Sequence, residues 1–305
     1  MKRCLSCQDP LKSEVRYHRK CLVKLFGVAW CPEIKFGIGD LPEAVSKTVD
    51  KMSISGVQIK ASVCVTQKSR QIEVTGENGT HILKPEPAEY PELPQCENLC
   101  MNMAEKLGME VPAHALFVMA DGKKCYLVRR FDREDSEKIH KEDMAQLLQL
   151  NPEQKYNASL ESIGKIIVQH AKNSYLEALK FFERIIFCFI IGNGDMHLKN
   201  WSLLTPPDHI NRLAPCYDLV SSWLYLTNEE SALTLNGKRN RLTKSDFLAF
   251  AAHLKFDPKA AQNALRKMIN TKEILLETVK TSELSPTKKE KLVNLIHERI
   301  NRLRR

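Results

Sequence analysis

The stretch "GNGDMHLKN", residues 192–200, directly follows the apolar run "IIFCFII". Asp195, His197, Lys199 and Asn200 crowd into a few positions at the mouth of what reads as a buried segment. Two readings compete: a polar loop that caps a core helix, or a loop that performs chemistry. The rest of the chain decides between them. Its 305 residues, 43% hydrophobic, suffice for one large domain or two lobes with a real core. No apolar run is long enough to span a bilayer. The N-terminal "MKRCLSCQDPLK" lacks a following apolar segment, so neither a secretory signal nor a membrane partner is expected and a cytoplasmic location is. There are ten cysteines, and most, such as Cys64, Cys100, Cys125 and Cys188, stand singly in apolar segments, as reduced thiols do. The net charge of +9 is spread along the chain, and the denser end "HERINRLRR" reads as a helix end.

Hydrophobic periodicity divides the chain. Residues 57–84 read as strands: "VQIKASVCVT" and "RQIEVTG", then "ENGT" as a turn and "HILK", a β-meander. A proline-rich connector leads to "QCENLCMNMAEKLGM", a helix closing at Gly108. "HALFVMADGKKCYLVRRFDR" reads as a hairpin turning at Asp121-Gly122. After Arg133 helices dominate, and the last begins with Ser285 as N-cap and Pro286 in its first turn. The expected fold is therefore α+β and bilobal. It has an N-terminal segment over 1–50, a small β-rich N-lobe over 51–131 and a larger helical C-lobe over 132–305.

Asp195 and Asn200 form the pattern D-x-x-x-x-N. In protein kinases an Asp so placed accepts the substrate hydroxyl proton and the Asn binds Mg²⁺. One short loop can then aim a base at the acceptor and an amide oxygen at a hard cation. A second carboxylate should come from a neighbouring strand, and Asp218 in "APCYDLVSS" supplies it. "NWSLL" and "RLAPCYDL", joined by "TPPDHIN", read as a hairpin that brings Asn200 and Asp218 together. His197 and Lys199 are placed to face phosphates, with a purely structural role the competing reading for His197. Trp201 reads as core packing. "SISGVQIK", residues 53–60, is either a phosphate-holding loop with the Ser53 and Ser55 hydroxyls or a plain turn entering a strand; with Gly56 as its only glycine it is no Walker A loop. Lys84 ends a strand where a kinase keeps its phosphate-pairing lysine, and Glu97 on the next helix is placed to pair with it.

"SISGVQIK", "HILKP", "CENLCMNMAEKLGMEVP", "LVRRFDR", "GNGDMHLKN" and "YDLVSS", in this order, resemble the HipA family of bacterial serine/threonine kinase toxins, most strongly over about residues 50–225. Only a short segment precedes the serine loop, which resembles the shorter HipT type. The resemblance implies an ATP- and Mg²⁺-dependent kinase-like fold with Asp195 as base and Asn200 and Asp218 on Mg²⁺. It implies that Ser55, Gly56, Val57, Gln58, Ile59 and Lys60 form the phosphate loop and that Lys84 meets the ATP phosphates. Arg129, Arg130 and Phe131 would form the hinge beside adenine, and His197, Leu198, Lys199, Asn200, Tyr217 and Asp218 the rest of the nucleotide site. Full-length HipA proteins tend to carry an acidic residue where this chain has Arg129, which leaves backbone contacts there. Ser53 and Ser55 would be autophosphorylation sites, and phosphate placed there would repel nucleotide. The implied substrate is an aminoacyl-tRNA synthetase. The implied partners are a DNA-binding antitoxin of HipB type and a small HipS-like protein, with DNA reached only through the antitoxin.

One constellation lies outside that resemblance. Cys4-x-x-Cys7 and His18-x-x-Cys21 present four soft ligands at structural zinc spacing. The alternative is four unlinked groups in a poorly packed terminus. Two other functional readings also stay open: a small-molecule phosphotransferase, which shares the D-x-x-x-x-N logic, and a non-catalytic scaffold or co-repressor for a DNA-binding antitoxin.

Overall fold

The computed structural model describes residues 2–41, 58–76, 78–134, 137–226 and 230–305. The chain forms two compact units. The first comprises Met1–Asn102, Val111–Glu137 and Thr281–Leu284; the second comprises Met103–Glu110, Lys138–Lys280 and Ser285–Arg305.

The first unit is built on six strands: β1 (Glu33–Ile34), β2 (Ala61–Thr66), β3 (Gln71–Val74), β4 (His81–Pro85), β5 (His114–Val118) and β6 (Lys124–Arg129). Their order in the sheet is β1-β3-β2-β4-β6-β5, antiparallel except for the parallel pair β1–β3. The expected meander is thus corrected: β2, not β3, is the middle strand of its trio. The chain returns from β3 to β4 across β2, and Gly79 makes the crossing feasible. A Cβ there would lie 2.0 Å from Ser62 Oγ and 2.9 Å from Val63 N. The β5–β6 hairpin turns at Asp121-Gly122 as expected, with Gly122 at φ +81.

The period of two along a strand gives the sheet two different faces. Leu83 stands opposite Leu127 and Ala61, and these three join a core with Cys4, Leu11, Tyr17, Cys21, Leu25 and Leu41. Residues 2–41, including helix α1 (Arg19–Phe26), therefore share the core of the sheet. The alternate residues Lys84 and Tyr126, also opposite each other, face the other way. There α2 (Leu93–Lys106) is anchored, Asn98 Oδ1 lying 3.0 Å from His114 Nδ1.

In the second unit, β9 (His140–Asp143), β10 (Ser202–Thr205) and β11 (Arg212–Leu213) form a sheet in the order β11-β10-β9. The strands β7 (Arg133–Glu134) and β8 (Glu137–Lys138), which lie where the chain passes from the first unit to the second, pair as a separate ribbon. The short α3 (Met144–Leu147) and α4 (Leu160–His170) lead to α5 (Ser174–Ile191). From Ile185 to Ile191 every residue of α5 is buried, so the C-terminal half is a core helix, whereas Tyr175 and Leu176 near its start are exposed. Phe182 stacks on Phe250 of α6 (Lys244–His253) at 6.1 Å, and Phe189 meets Phe247 edge-on at 5.2 Å. Helices α7 (Pro258–Ile269), α8 (Lys272–Lys280) and α9 (Pro286–Arg304) complete the unit, α9 capped by Ser285 with Pro286 in its first turn. No helix among the described residues is long and apolar enough to cross a membrane.

Candidate active site

The end of α5 is set by Gly192. Its φ of +70 terminates the helix, and its amide returns to the carbonyls of Cys188 and Phe189. A Cβ at this position would lie 2.5 Å from Leu295 Cδ2 and 2.9 Å from Trp223 Cβ, so the chain can leave the helix here only as glycine. The next residues are pinned from several sides. Ser222 Oγ accepts the Gly194 amide at 2.8 Å, and Asn193 Oδ1 accepts the Asp195 amide at 3.2 Å. Trp201 stands edge-on to Phe181 at 4.7 Å and donates Nε1–H to the Met196 carbonyl, which bears out its core role.

Asp195 is half-buried, and its Oδ1 accepts the Tyr156 hydroxyl at 2.8 Å. Asn200 donates Nδ2–H to the Asp195 carbonyl at 2.9 Å. That bond orients the carboxamide and turns its oxygen into the group left for a ligand. The hairpin expected between Asn200 and Asp218 is present, with Leu203 opposite Leu213 and Leu204 opposite Arg212. Tyr217 ties its far end back: its hydroxyl donates to the Lys199 carbonyl at 2.9 Å and lies 2.5 Å from Ser202 Oγ. Burial pushes the Tyr217 phenol well up, so it stays a neutral donor. The next residue, Asp218, has φ +54, a left-handed conformation rare for a residue with a side chain. Backbone held this way in a loop beside other polar groups is characteristic of functional sites. The donor types, one carboxylate and one amide oxygen, are those a hard divalent cation takes.

Two expected phosphate contacts change their meaning. His197 is fully buried and packs edge-on against Tyr156 at 5.3 Å, a placement that favours the structural role over the phosphate contact. The Leu198 side chain is fully buried too, which leaves only its backbone for a ligand. Lys199 stays partly exposed, as its expected role requires.

In the first unit, Lys84 and Glu97 form an ion pair at 2.5 Å, with side chains only 3% and 2% exposed. Lys84 Nζ also lies 5.6 Å from the centre of the Tyr126 ring. Neither residue is the solvated surface group that its type alone suggests. Gln58, Ile59 and Lys60 are half-buried and lead into β2; Ser53, Ser55, Gly56 and Val57 lie outside the described residues. At the expected hinge, the Arg129 amide goes to the Ala113 carbonyl at 2.8 Å and the Arg130 amide to Thr80 at 2.9 Å. Neither amide is therefore available to a ligand, which narrows the expected backbone contact. The Arg130 guanidinium clamps Asp132 through two bonds of 2.9 and 2.8 Å, and Phe131 is half-buried.

Sequence reasoning missed Tyr156 and Ser222. Both reach the loop from distant positions; Ser222 ends the stretch "YDLVSS" but was given no role there, and Tyr156 stands in no pattern that marks it. It located Cys4, Cys7, His18 and Cys21, whose ligand atoms the fold gathers within 4.8 Å of one another.

Comparison with known proteins follows this geometry. The family model described as HipA-like C-terminal domain matches residues 52–274. A putative kinase of Haemophilus influenzae is 28% identical over 272 residues, which cover 79% of either chain. The putative kinase Y4dM of Sinorhizobium fredii is 31% identical over 238 residues, 72% of this chain and 58% of that one. Among solved structures, the fold resembles HipA of the Shewanella oneidensis MR-1 toxin–antitoxin system, solved with HipB and operator DNA. The TM-score is 0.71 at 20% identity, covering 88% of this chain and 71% of that one. The Helicobacter pylori proinflammatory kinase CtkA matches with a TM-score of 0.58 at 18% identity, over 76% and 87%.

Proposed function

The chain belongs to the HipA-like C-terminal domain family, and from that premise we propose that it is a cytoplasmic ATP- and Mg²⁺-dependent serine/threonine protein kinase of the toxin type. The observation that carries this reading is the buried Lys84–Glu97 pair in the same chain as the Asp195, Asn200 and Asp218 set. A lysine–glutamate pair of this kind orients ATP phosphates in protein kinases, and a D-x-x-x-x-N loop supplies base and metal ligand. Asp195 takes the proton of the acceptor serine hydroxyl, and Tyr156 fixes the rotamer of its carboxylate. Asn200 Oδ1 and the Asp218 carboxylate would hold Mg²⁺, which would supply charge neutralisation for phosphoryl transfer. Lys84 and Lys199 contact phosphates. The segment from Ser55 to Lys60 is the proposed phosphate loop, and Phe131 the proposed neighbour of adenine.

The substrate class follows from the family resemblance: an aminoacyl-tRNA synthetase, inactivated at a serine. Autophosphorylation at Ser53 or Ser55 would switch the enzyme off by bringing close to two negative charges against the nucleotide phosphates. A HipB-type DNA-binding antitoxin and a small HipS-like protein are its proposed partners. The likeness to a HipA crystallised with HipB and operator DNA supports the first of these.

The test is transfer of labelled phosphate from ATP to the chain itself and to cell extract. Wild type should label and Asp195→Asn and Asp218→Ala should not. Equal labelling by all three refutes the reading. Phosphopeptide mapping after brief expression of wild type and Asp195→Asn should then find a synthetase serine modified only by wild type.

A further inference from the structure

We propose that Cys4, Cys7, His18 and Cys21 hold a structural Zn²⁺ ion that fastens residues 2–21 over the outer edge of β5. The four ligand atoms lie within 4.8 Å of one another. A tetrahedron with Zn–S bonds of about 2.3 Å has edges of about 3.8 Å, so the set is within roughly an ångström of closing on a metal. Three thiol sulfurs and one imidazole are a soft donor set, which selects zinc over the hard cations.

The orientation of His18 is independent evidence. Its Nε2 lies 3.1 Å from the Pro10 carbonyl, which can only accept a hydrogen bond, so Nε2 carries the proton. Nδ1 then presents a lone pair to the cluster, 3.4 Å from Cys7 Sγ. A metal-bound histidine is held by a backbone carbonyl in the same way. Backbone amides are also aimed at sulfur. The His18 amide points to Cys4 Sγ at 3.3 Å, the Cys7 amide to the same atom, and the Asp9 amide to Cys7 Sγ. Amides placed like this stabilise thiolates, the form a metal binds. Gln8, directly after Cys7, has φ +62, and the chain folds back there so that its amides converge on the sulfurs.

The site also has a structural task. β5 is the last strand of its sheet. The stapled segment covers its outer edge: the Leu116 amide donates to the Leu5 carbonyl at 2.9 Å, and the Ser6 and Tyr17 hydroxyls donate to the His114 and Leu116 carbonyls at 2.7 Å. Asn102 of α2 donates to the Ser6 carbonyl, also at 2.7 Å. Residues 2–18 contain no helix and only an isolated bridge between Arg3 and Pro10, so a metal would add to the turn hydrogen bonds and core contacts that hold the segment.

The experiment measures metal in the full chain purified without chelator. Elemental analysis should find one zinc per chain, and X-ray absorption a shell of three sulfurs and one nitrogen. Cys7→Ser and His18→Ala should lose the metal, while Cys31→Ser, outside the cluster, should keep it. If the cluster variants prove insoluble, wild type still decides: a thiol-reactive mercurial should release zinc to a chromogenic chelator, and cobalt should replace it with the visible bands of a tetrahedral thiolate site. Iron in place of zinc, a disulfide among the three cysteines, or a metal-free chain that takes up neither zinc nor cobalt would overturn the proposal. None of these readouts uses phosphotransfer, so the site and the kinase reading stand or fall separately.

Discussion

Replacing Glu97 by Leu separates the two things that the Lys84–Glu97 pair does. At 2.5 Å two unit charges attract by about 6–7 kcal/mol at an effective dielectric of about 20. Taking both ions from water costs several kcal/mol each, so the intact pair adds little to stability. Removing one partner is different, because it leaves the Lys84 ammonium, 3% exposed, without its carboxylate. Glu97→Leu should therefore destabilise the chain by about 3–5 kcal/mol. The double variant Lys84→Met/Glu97→Leu removes the stranded charge and fills the same volume with apolar atoms, so it should recover most of that loss. Urea unfolding followed by circular dichroism measures both, and phosphate transfer from ATP is measured in parallel. Both variants should be inactive, the double one while well folded. If the double variant is as unstable as Glu97→Leu, the cost is a packing defect and the buried-charge reasoning fails. If the double variant retains transfer, Lys84 is not a phosphate contact.

His81 should make stability depend on pH. Burial, aided by nearby Arg129, pushes its pKa down to about 4, against the opposing bond to the Leu25 carbonyl. The unfolded chain takes up the proton near pH 6.5, so stability is full above that value and falls as pH drops toward 4. The loss totals about 3 kcal/mol. A His81→Gln variant should lack this part of the pH dependence in urea titrations, and an unchanged profile would refute the assignment. Tyr156→Phe removes a hydrogen bond to the Asp195 carboxylate. Such bonds are worth about 1.5–3 kcal/mol, so kcat should fall roughly ten- to a hundredfold with KM for ATP little changed. An unaltered kcat would mean that the hydroxyl plays no part in positioning the base.

What was legible in the sequence was legible because it is local. The run of apolar residues in α5, the glycine that ends it and the D-x-x-x-x-N spacing lie within one stretch of chain, and the β10–β11 hairpin follows at once. Lys84 and Glu97 could be matched because a strand of period two and the next helix are adjacent in sequence. The order of strands was hidden: it turns on Gly79 passing over Ser62, a contact that no periodicity records. His197 was ambiguous because the same residue type serves a phosphate or a buried ring contact, and the packing of Tyr156 against it is not recorded in any local pattern. Tyr156 reaches Asp195 from 39 residues upstream, from a connection without pattern. The docking of residues 2–41 into the sheet was equally hidden, since Leu11, Tyr17 and Leu25 are too sparse to announce a shared core.

The left-handed conformation of Asp218 sets two selective pressures against each other. Holding a side-chain-bearing residue there costs on the order of 1 kcal/mol that glycine would not pay. A screen for thermal robustness alone would drift toward glycine at 218 and discard a carboxylate. On the proposed role of Asp218 as a metal ligand, stabilising this position would erase activity, and persistence of aspartate in an evolving population would report selection on phosphotransfer rather than on folding.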